Sequence, residues 1–246
     1  MNLYRADLHI HTVLSPCGDL EMSPLNILKK ASEKVLDIIG ITDHNSTKHC
    51  KLTRKLAEPY GIFVMMGAEI TTKEEVHCLA FFETDEQLDY FQAYLDEHLA
   101  HIPNNTDHFG YQVIVNENEE IIGQEEWLLI SALDQSIGEV EAKVHSLDGL
   151  FIPAHIDKSR FSLISQLGFI PEGLKADAFE LSAKASEKEL IPHFKLDGNT
   201  SFIRCSDAHL LEQVGTSSTL LEMEHRSFSQ IRLAMQTPGK VKTTRE

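Results

Sequence analysis

An α/β fold built on a mainly parallel sheet, open or closed into a barrel, is predicted by three observations. Short β-like apolar runs alternate with helical patterns along most of the chain. Its 246 residues suit one α/β barrel. Hydrophobic residues at 42% and charged residues at 24% give the balance of a chain that buries a substantial core. No internal repeat, low-complexity tract or linker divides the sequence, so residues 1–246 are read as one domain.

The β-like runs are Tyr4–Leu8, Asp37–Ile41, Phe63–Gly67, Val76–Phe82, Leu150–Ala154, Ala178–Leu181 and Phe202–Ser206. Ser23-Pro24 opens the first helix, a cap followed by proline in the first turn, and Leu25, Ile27, Leu28 and Ala31 supply its apolar face. Further helices are predicted over Ser46–Ala57 and over Asp85–Leu99, where Leu88, Phe91, Tyr94 and Leu95 form a stripe. Gln124–Asp134, Ile137–Leu147, Leu163–Leu167 and Ser227–Met235 follow, the last capped by Ser227. One region breaks the rhythm. Tyr111–Val115, a polar turn at Asn116–Glu120 and Ile121–Gly123 read as a β-hairpin. It follows a loop, Ile102–Gly110, rich in Asn, Asp and His, and is read as an insertion near the mouth of the scaffold.

Net charge is −16, from 22 Lys+Arg against 38 Asp+Glu. That argues against a general nucleic-acid surface, which carries a basic footprint, although bound cations would offset the acidity locally. Cys17, Cys50, Cys78 and Cys205 form no C-x-x-C pair and no disulfide framework, and are read as reduced thiols. Cys78 and Cys205 lie in apolar runs and are expected to pack as small hydrophobes. The first residues lack the apolar core of a signal peptide, and no apolar run is long enough to span a bilayer. The expectation is a soluble, cytoplasmic protein with no membrane partner.

Ala6-Asp7-Leu8-His9-Ile10-His11-Thr12 puts two histidines in alternation at the end of the first run. In a strand both imidazoles project to the same side, within reach of one metal ion. The pattern recurs in kind at Thr42-Asp43-His44-Asn45, Gly67-Ala68-Glu69, Glu75-Val76-His77, Pro153-Ala154-His155 and Ser206-Asp207-Ala208-His209. Each follows or lies within a short apolar run and supplies imidazole nitrogen or carboxylate oxygen, His77 lying within the fourth run. In parallel α/β folds those strand ends converge on one side, so the donors point to a metal enzyme. Imidazole and carboxylate suit Zn, Mn or Fe, and the absence of a cysteine cluster argues against a Cys-rich structural zinc site.

Taken in order over nearly the whole chain, D-L-H-I-H-T, T-D-H-N, G-A-E-I, V-H-C-L, P-A-H and S-D-A-H resemble the PHP family, the polymerase and histidinol phosphatase superfamily. The resemblance implies a distorted (β/α)7 barrel, to which the seven runs correspond, with the hairpin near residues 111–123 inserted. It implies two or three divalent ions (Zn, Mn or Fe) at the strand ends and cleavage of phosphate esters. Carried over by motif, a first metal takes His9, His11, Glu69 and Asp207. Glu69 bridges to a second held by His77 and His155, and a third uses Asp19, His44 and His209. Ser15-Pro16-Cys17-Gly18 intervenes before Asp19, so Cys17 and Glu21 compete for its role. Asp43 is expected to orient an imidazole rather than to bind. Glu69, Asp207 and His209 are the catalytic candidates. Lys158 and Arg160 are candidates for gripping phosphate, against a reading as solvated charges. Many relatives have proline soon after the matching histidine, where this chain has Ile156-Asp157-Lys158, so the substrate edge is expected to be specialised. Arg204 is expected to alternate outward.

Phosphate monoesters hydrolyse extremely slowly unaided. Two metals about 3.5–4 Å apart can generate hydroxide near neutral pH and clamp the attacking and leaving oxygens. The predicted function is therefore hydrolysis of a small phosphorylated substrate by metal-activated hydroxide at a trinuclear site. Histidinol phosphate, a nucleotide and a sugar phosphate all remain open. A DNA-related nuclease or repair phosphodiesterase is the first alternative, though Trp127 as sole tryptophan offers little for strand stacking. A noncatalytic, metal-stabilised partner-binding module is the second, weakened by a donor set larger than the four ligands of a closed structural site. His49, His98, His101, His108, His145, His193 and His225 are assigned to surface or satisfied core positions, with His108 also considered as a proton donor.

Overall fold

The computed structural model describes residues 1–182, 185 and 200–245; His193 lies outside them. In chain order the strands are β1 (Asn2–Ile10), β2 (Ile38–Ile41), β3 (Phe63–Thr71), β4 (His77–Phe82), β5 (Val113–Val115), β6 (Ile121–Gln124), β7 (Leu150–Pro153), β8 (Phe179–Leu181), β9 (Phe202–Arg204), β10 (Ser217–Met223) and β11 (Val241–Arg245). The helices are α1 (Pro24–Glu33), α2 (Cys50–Ala57), α3 (Asp85–His98), α4 (Thr106–Phe109), α5 (Ile137–Ser146), α6 (Leu163–Leu167) and α7 (Phe228–Gln236).

β1 is exposed at its start and fully buried over its last five residues. It pairs in parallel with β2, and β2 in parallel with β3, while β3–β4 and β4–β7 are antiparallel. Beyond β7 a few backbone hydrogen bonds complete the circuit. Asp177 N–H donates to the Phe151 carbonyl and Ile156 N–H to that of Glu180, both at 2.9 Å, tying β7 to β8. β8 pairs in parallel with β9. The chain after β9 returns to β1, where Ala208 N–H donates to the His9 carbonyl at 3.2 Å and His11 N–H to the Ala208 carbonyl at 3.0 Å. The seven strands of this ring match the seven predicted runs, and the fold is a distorted α/β barrel. β10 and β11 extend the sheet outward, with β10 antiparallel to residues Asn2–Ala6 of β1.

Three expectations are corrected. The sheet is mixed rather than mainly parallel, because only residues 72–76 join β3 to β4, far too few for a crossover helix. The stretch Gln124–Asp134 is not a helix. Gln112 pins it as an extended strap, its amide donating to the Glu125 and Trp127 carbonyls at 3.2 and 2.8 Å and accepting from Leu129 N–H at 2.8 Å. The helix predicted from Ser46 begins at Cys50, since Gln92 accepts from both Thr47 N–H and its hydroxyl and holds that residue in the loop. The inserted hairpin forms as β5–β6.

Local chemistry accounts for the helices. Ser23 accepts from Asn26 N–H with Pro24 in the first turn. Thr84 with Gln87, and Ser136 with Glu139, form reciprocal capping boxes. The stripe Leu88, Phe91, Tyr94 and Leu95 is buried. Alternation along β3 puts Met65, Gly67 and Glu69 on one face, with Met65 in an apolar cluster of Leu8, Ile38, Leu79, Phe81 and Ile152. That face is apolar along its length and bears a carboxylate at its carboxyl end. Among the described residues, no helix is long and apolar enough to cross a membrane.

Candidate metal centre

The two leading histidines sit at an irregularity. The register of β1 against β2 shifts between Asp7 and Ile10, a feature that re-aims side chains. His9 and His11 turn their Nε2 atoms to within 3.2 Å of each other. Asp7, fully buried, fastens β1 to the loop that carries Asp207: Oδ1 accepts from Ser206 N–H at 3.0 Å, and Oδ2 from the Ser206 hydroxyl at 2.6 Å and Gly215 N–H at 2.8 Å. Asp207 and His155 both have left-handed backbones, with φ of 54° and 28°. Such conformations in non-glycine residues persist only where their surroundings enforce them, commonly at functional sites.

Glu69, 1% exposed, is the hub. Its Oε1 lies 3.3 Å from His9 Nε2, 2.9 Å from His77 Nδ1 and 3.1 Å from His155 Nε2. Its Oε2 lies 3.2 Å from His11 Nε2 and 3.1 Å from His44 Nδ1. Asp207 Oδ1 stands 3.4 Å from His9 Nε2 and 3.6 Å from His11 Nε2. Donor atoms within 4.8 Å of one another fall into three groups: His9, His11, Glu69 and Asp207; His44, Glu69 and His77; and His11, His44 and His209. His155 joins through its contact with Glu69. Asp19 is in none of them. It is exposed, and its carboxylate closes a local turn by accepting from Glu21 N–H at 2.8 Å.

The far nitrogens of several rings are engaged, which leaves their near nitrogens facing the centre. His9 Nδ1 meets Glu180 at 3.0 Å, His11 Nδ1 meets the Ser15 hydroxyl at 2.9 Å, and His209 Nδ1 donates to the Asp207 carbonyl at 3.0 Å. His44 Nδ1 is buried with no hydrogen-bond partner, although it faces Glu69. Buried imidazole nitrogens converging on carboxylate oxygens, one of them orphaned, fit divalent cations.

Burial works against ionisation of Glu69, but the surrounding imidazoles, His77 and His9 foremost, outweigh it and hold its carboxyl well below the usual range. Asp207 is likewise held well below, burial being overcome mainly by His9 and His11. Burial also opposes charge on His9, yet Glu180, Glu69 and Asp207 together raise its pKa well above that of a free imidazole. His44 is pushed well below by burial, and His209 down to about 4 by burial and the nearby His11. A consequence follows for metal uptake. Imidazole coordinates only as the neutral base, so any proton that its carboxylate neighbours keep on His9 must leave when a cation binds. Titration in buffers of different ionisation enthalpy is expected to show proton release on metal binding, with apparent affinity rising as pH rises. No release and a flat pH dependence would contradict this protonation pattern.

The centre opens into a cleft of about 290 Å³ whose lining includes His44, His77, Lys158, Ser159, Arg160 and Phe161. Lys158 Nζ donates to Asp207 Oδ2; burial disfavours its charge, but Asp207 more than compensates and its pKa is raised. Phe161, with φ of 52°, stacks on His77 at 4.9 Å between centroids. Arg204 does not turn outward. It is buried, and its guanidinium donates to the Ser182 and Ala185 carbonyls. His108 is exposed in α4 and does not line the cleft. Asp43 accepts from Thr12 and Ser15 and contacts no imidazole directly.

Sequence reasoning missed Glu180, Ser15 and His49. Glu180 was detectable as a carboxylate inside the apolar run Ala178–Leu181; Ser15 and His49 carry no signal outside the fold. The PHP domain matches residues 7–155 of the chain. The chain is 24% identical to the uncharacterized protein YqxK of Bacillus subtilis over 94% of its length, and spans 61% of that protein. Among solved structures, it superposes on the lesion-specific endonuclease PfuEndoQ of Pyrococcus furiosus with a TM-score of 0.75 and 22% identity, covering 98% of this chain and 58% of that one. It superposes on a putative metal-dependent phosphoesterase of Bifidobacterium adolescentis with a TM-score of 0.61 and 18% identity, covering 94% and 95%. The chain thus spans about three fifths of the first two proteins.

Proposed function

We propose that this chain, which belongs to the PHP family, is a metal-dependent hydrolase of phosphoester bonds and cleaves a small phosphorylated compound in the cleft between Glu69 and Arg160. The observation that carries this reading is the placement of Glu69, one carboxylate serving two donor groups at the floor of a small cleft. His9, His11, Glu69 and Asp207 would hold one ion and Glu69, His77 and His155 a second, while a third would draw on His44 and His209, since His11 Nε2 would serve the first. When bound, divalent ions supply Lewis acidity and bring the pKa of water near neutrality.

The chain's own groups do the rest. Glu69 would be shared by two ions, its carboxylate lying between the imidazoles of both donor groups. Glu180 orients His9 through its Nδ1, as partners behind metal-binding imidazoles do. Arg160 and Lys158 stand on the cleft wall where a phosphate would bring negative charge, and Lys158 stays cationic. The net charge of −16 disfavours a long polyanion and favours a compact substrate.

A second reading is nuclease action on damaged DNA, favoured by the likeness to the Pyrococcus endonuclease over 98% of this chain. Rates on a chromogenic phosphomonoester, a diester and a labelled DNA strand separate the two. The first reading expects the monoester to turn over fastest; exclusive cleavage of DNA would overturn it. Arg160→Ala is expected to raise KM roughly ten-fold with little change in kcat, the scale of one charge-assisted hydrogen bond. An unchanged KM would remove Arg160 from phosphate binding.

A further inference from the structure

We infer that His49 and Ser15 are positioning residues for His11, joined to it and to the inserted hairpin by one chain of directed hydrogen bonds. The chain begins at the hairpin backbone, where Val115 N–H donates to His49 Nε2 at 3.0 Å. A nitrogen that accepts cannot carry the proton, so the proton of neutral His49 sits on Nδ1. Burial favours that neutral form. Nδ1–H then donates to Thr12 Oγ1 at 2.7 Å. The Thr12 hydroxyl passes the direction on, donating to Asp43 Oδ2 at 2.7 Å.

Asp43 accepts on both oxygens. Its Oδ1 takes Thr12 N–H and the Ser15 hydroxyl, each at 2.7 Å. Since the Ser15 hydrogen is spent on Asp43, Ser15 Oγ faces His11 Nδ1, 2.9 Å away, only as an acceptor. His11 therefore carries a proton on Nδ1, and it is Nε2 that is turned to Glu69, Asp207 and His9. Every side chain in the chain is buried: His11, Thr12 and Ser15 at 0%, Asp43 and His49 at 1% exposed. In such surroundings a reversed link would set two donors or two acceptors face to face, at a cost of about 1–3 kcal/mol for each group left unsatisfied. The bonds thus converge on Asp43 from both sides, from the hairpin through His49 and Thr12 and from His11 through Ser15.

The inference rests on His11 being a metal donor, and its test separates the two claims. Long-range nitrogen–proton NMR on the ¹⁵N-histidine-labelled protein, metal-free and zinc-loaded, reads the tautomers directly. His49 is expected to be protonated at Nδ1 and bare at Nε2, with His11 protonated at Nδ1 in both states. His49 protonated at Nε2, or zinc on His11 Nδ1, would overturn the relay whatever the variants do. Ser15→Ala and His49→Phe are each expected to weaken zinc binding by at least ten-fold, in the range known for partners behind metal ligands, with Ser15→Thr restoring it. Wild-type zinc affinity in both variants would overturn the inference. A wild-type protein that takes up no zinc would defeat the metal reading instead, while the tautomers of the metal-free protein still judge the relay.

Discussion

Glu69→Gln is expected to lower phosphoester turnover by on the order of a thousand-fold, the scale seen when a preorganised charge-stabilising group is lost. The substitution keeps the shape of the side chain and removes its charge. Five imidazoles, those of His9, His11, His44, His77 and His155, stand within 3.3 Å of the two carboxylate oxygens. An amide presents one acceptor where the carboxylate presents two, and its NH2 group would oppose any cation on that side. Metal content is therefore expected to fall together with activity. Initial rates on a chromogenic monoester, with elemental analysis of the same sample, check both. Near-normal hydrolysis at full metal content would remove Glu69 from its bridging place.

Gly67→Ala is expected to destabilise the fold by about 3 kcal/mol, the upper part of the range for forcing extra atoms into a packed core. A Cβ at this position would collide with the Ala80 carbonyl oxygen and would lie 2.7 Å from Phe81 Cδ1. The first obstacle is backbone, so β3 and β4 would have to separate. Glu69 and His77 stand on those two strands and meet at 2.9 Å, so metal binding is expected to weaken as well. Urea unfolding of the metal-free proteins measures the effect. Equal midpoints would show that the strands can part without cost.

The ring of seven strands was legible because each run is apolar, short and bounded by turn residues, and because donors recur at their ends. His9, His11, Glu69 and Asp207 are grouped by the sequence itself, since ordered motifs carry more information than any single one. Strand direction was not legible: whether β4 runs with or against β3 depends on the length of one link. Gln124–Asp134 has a mixed apolar pattern that a helix and a pinned strap share, and only Gln112, from another segment, decides between them. Asp19 stands apart from the donor groups for a related reason. Motif spacing cannot tell a carboxylate that reaches the centre from one that closes its own turn. Glu180, Ser15 and His49 act through contacts made by segments distant in sequence, and a linear pattern does not encode such contacts.

Diffraction from metal-loaded crystals at the Zn, Mn and Fe absorption edges tests the central claim most directly. At least two anomalous peaks are expected about 3.5–4 Å apart, one ringed by His9, His11, Glu69 and Asp207, with Glu69 touching both. A single ion away from Glu69, or none in protein that turns over substrate, would contradict it.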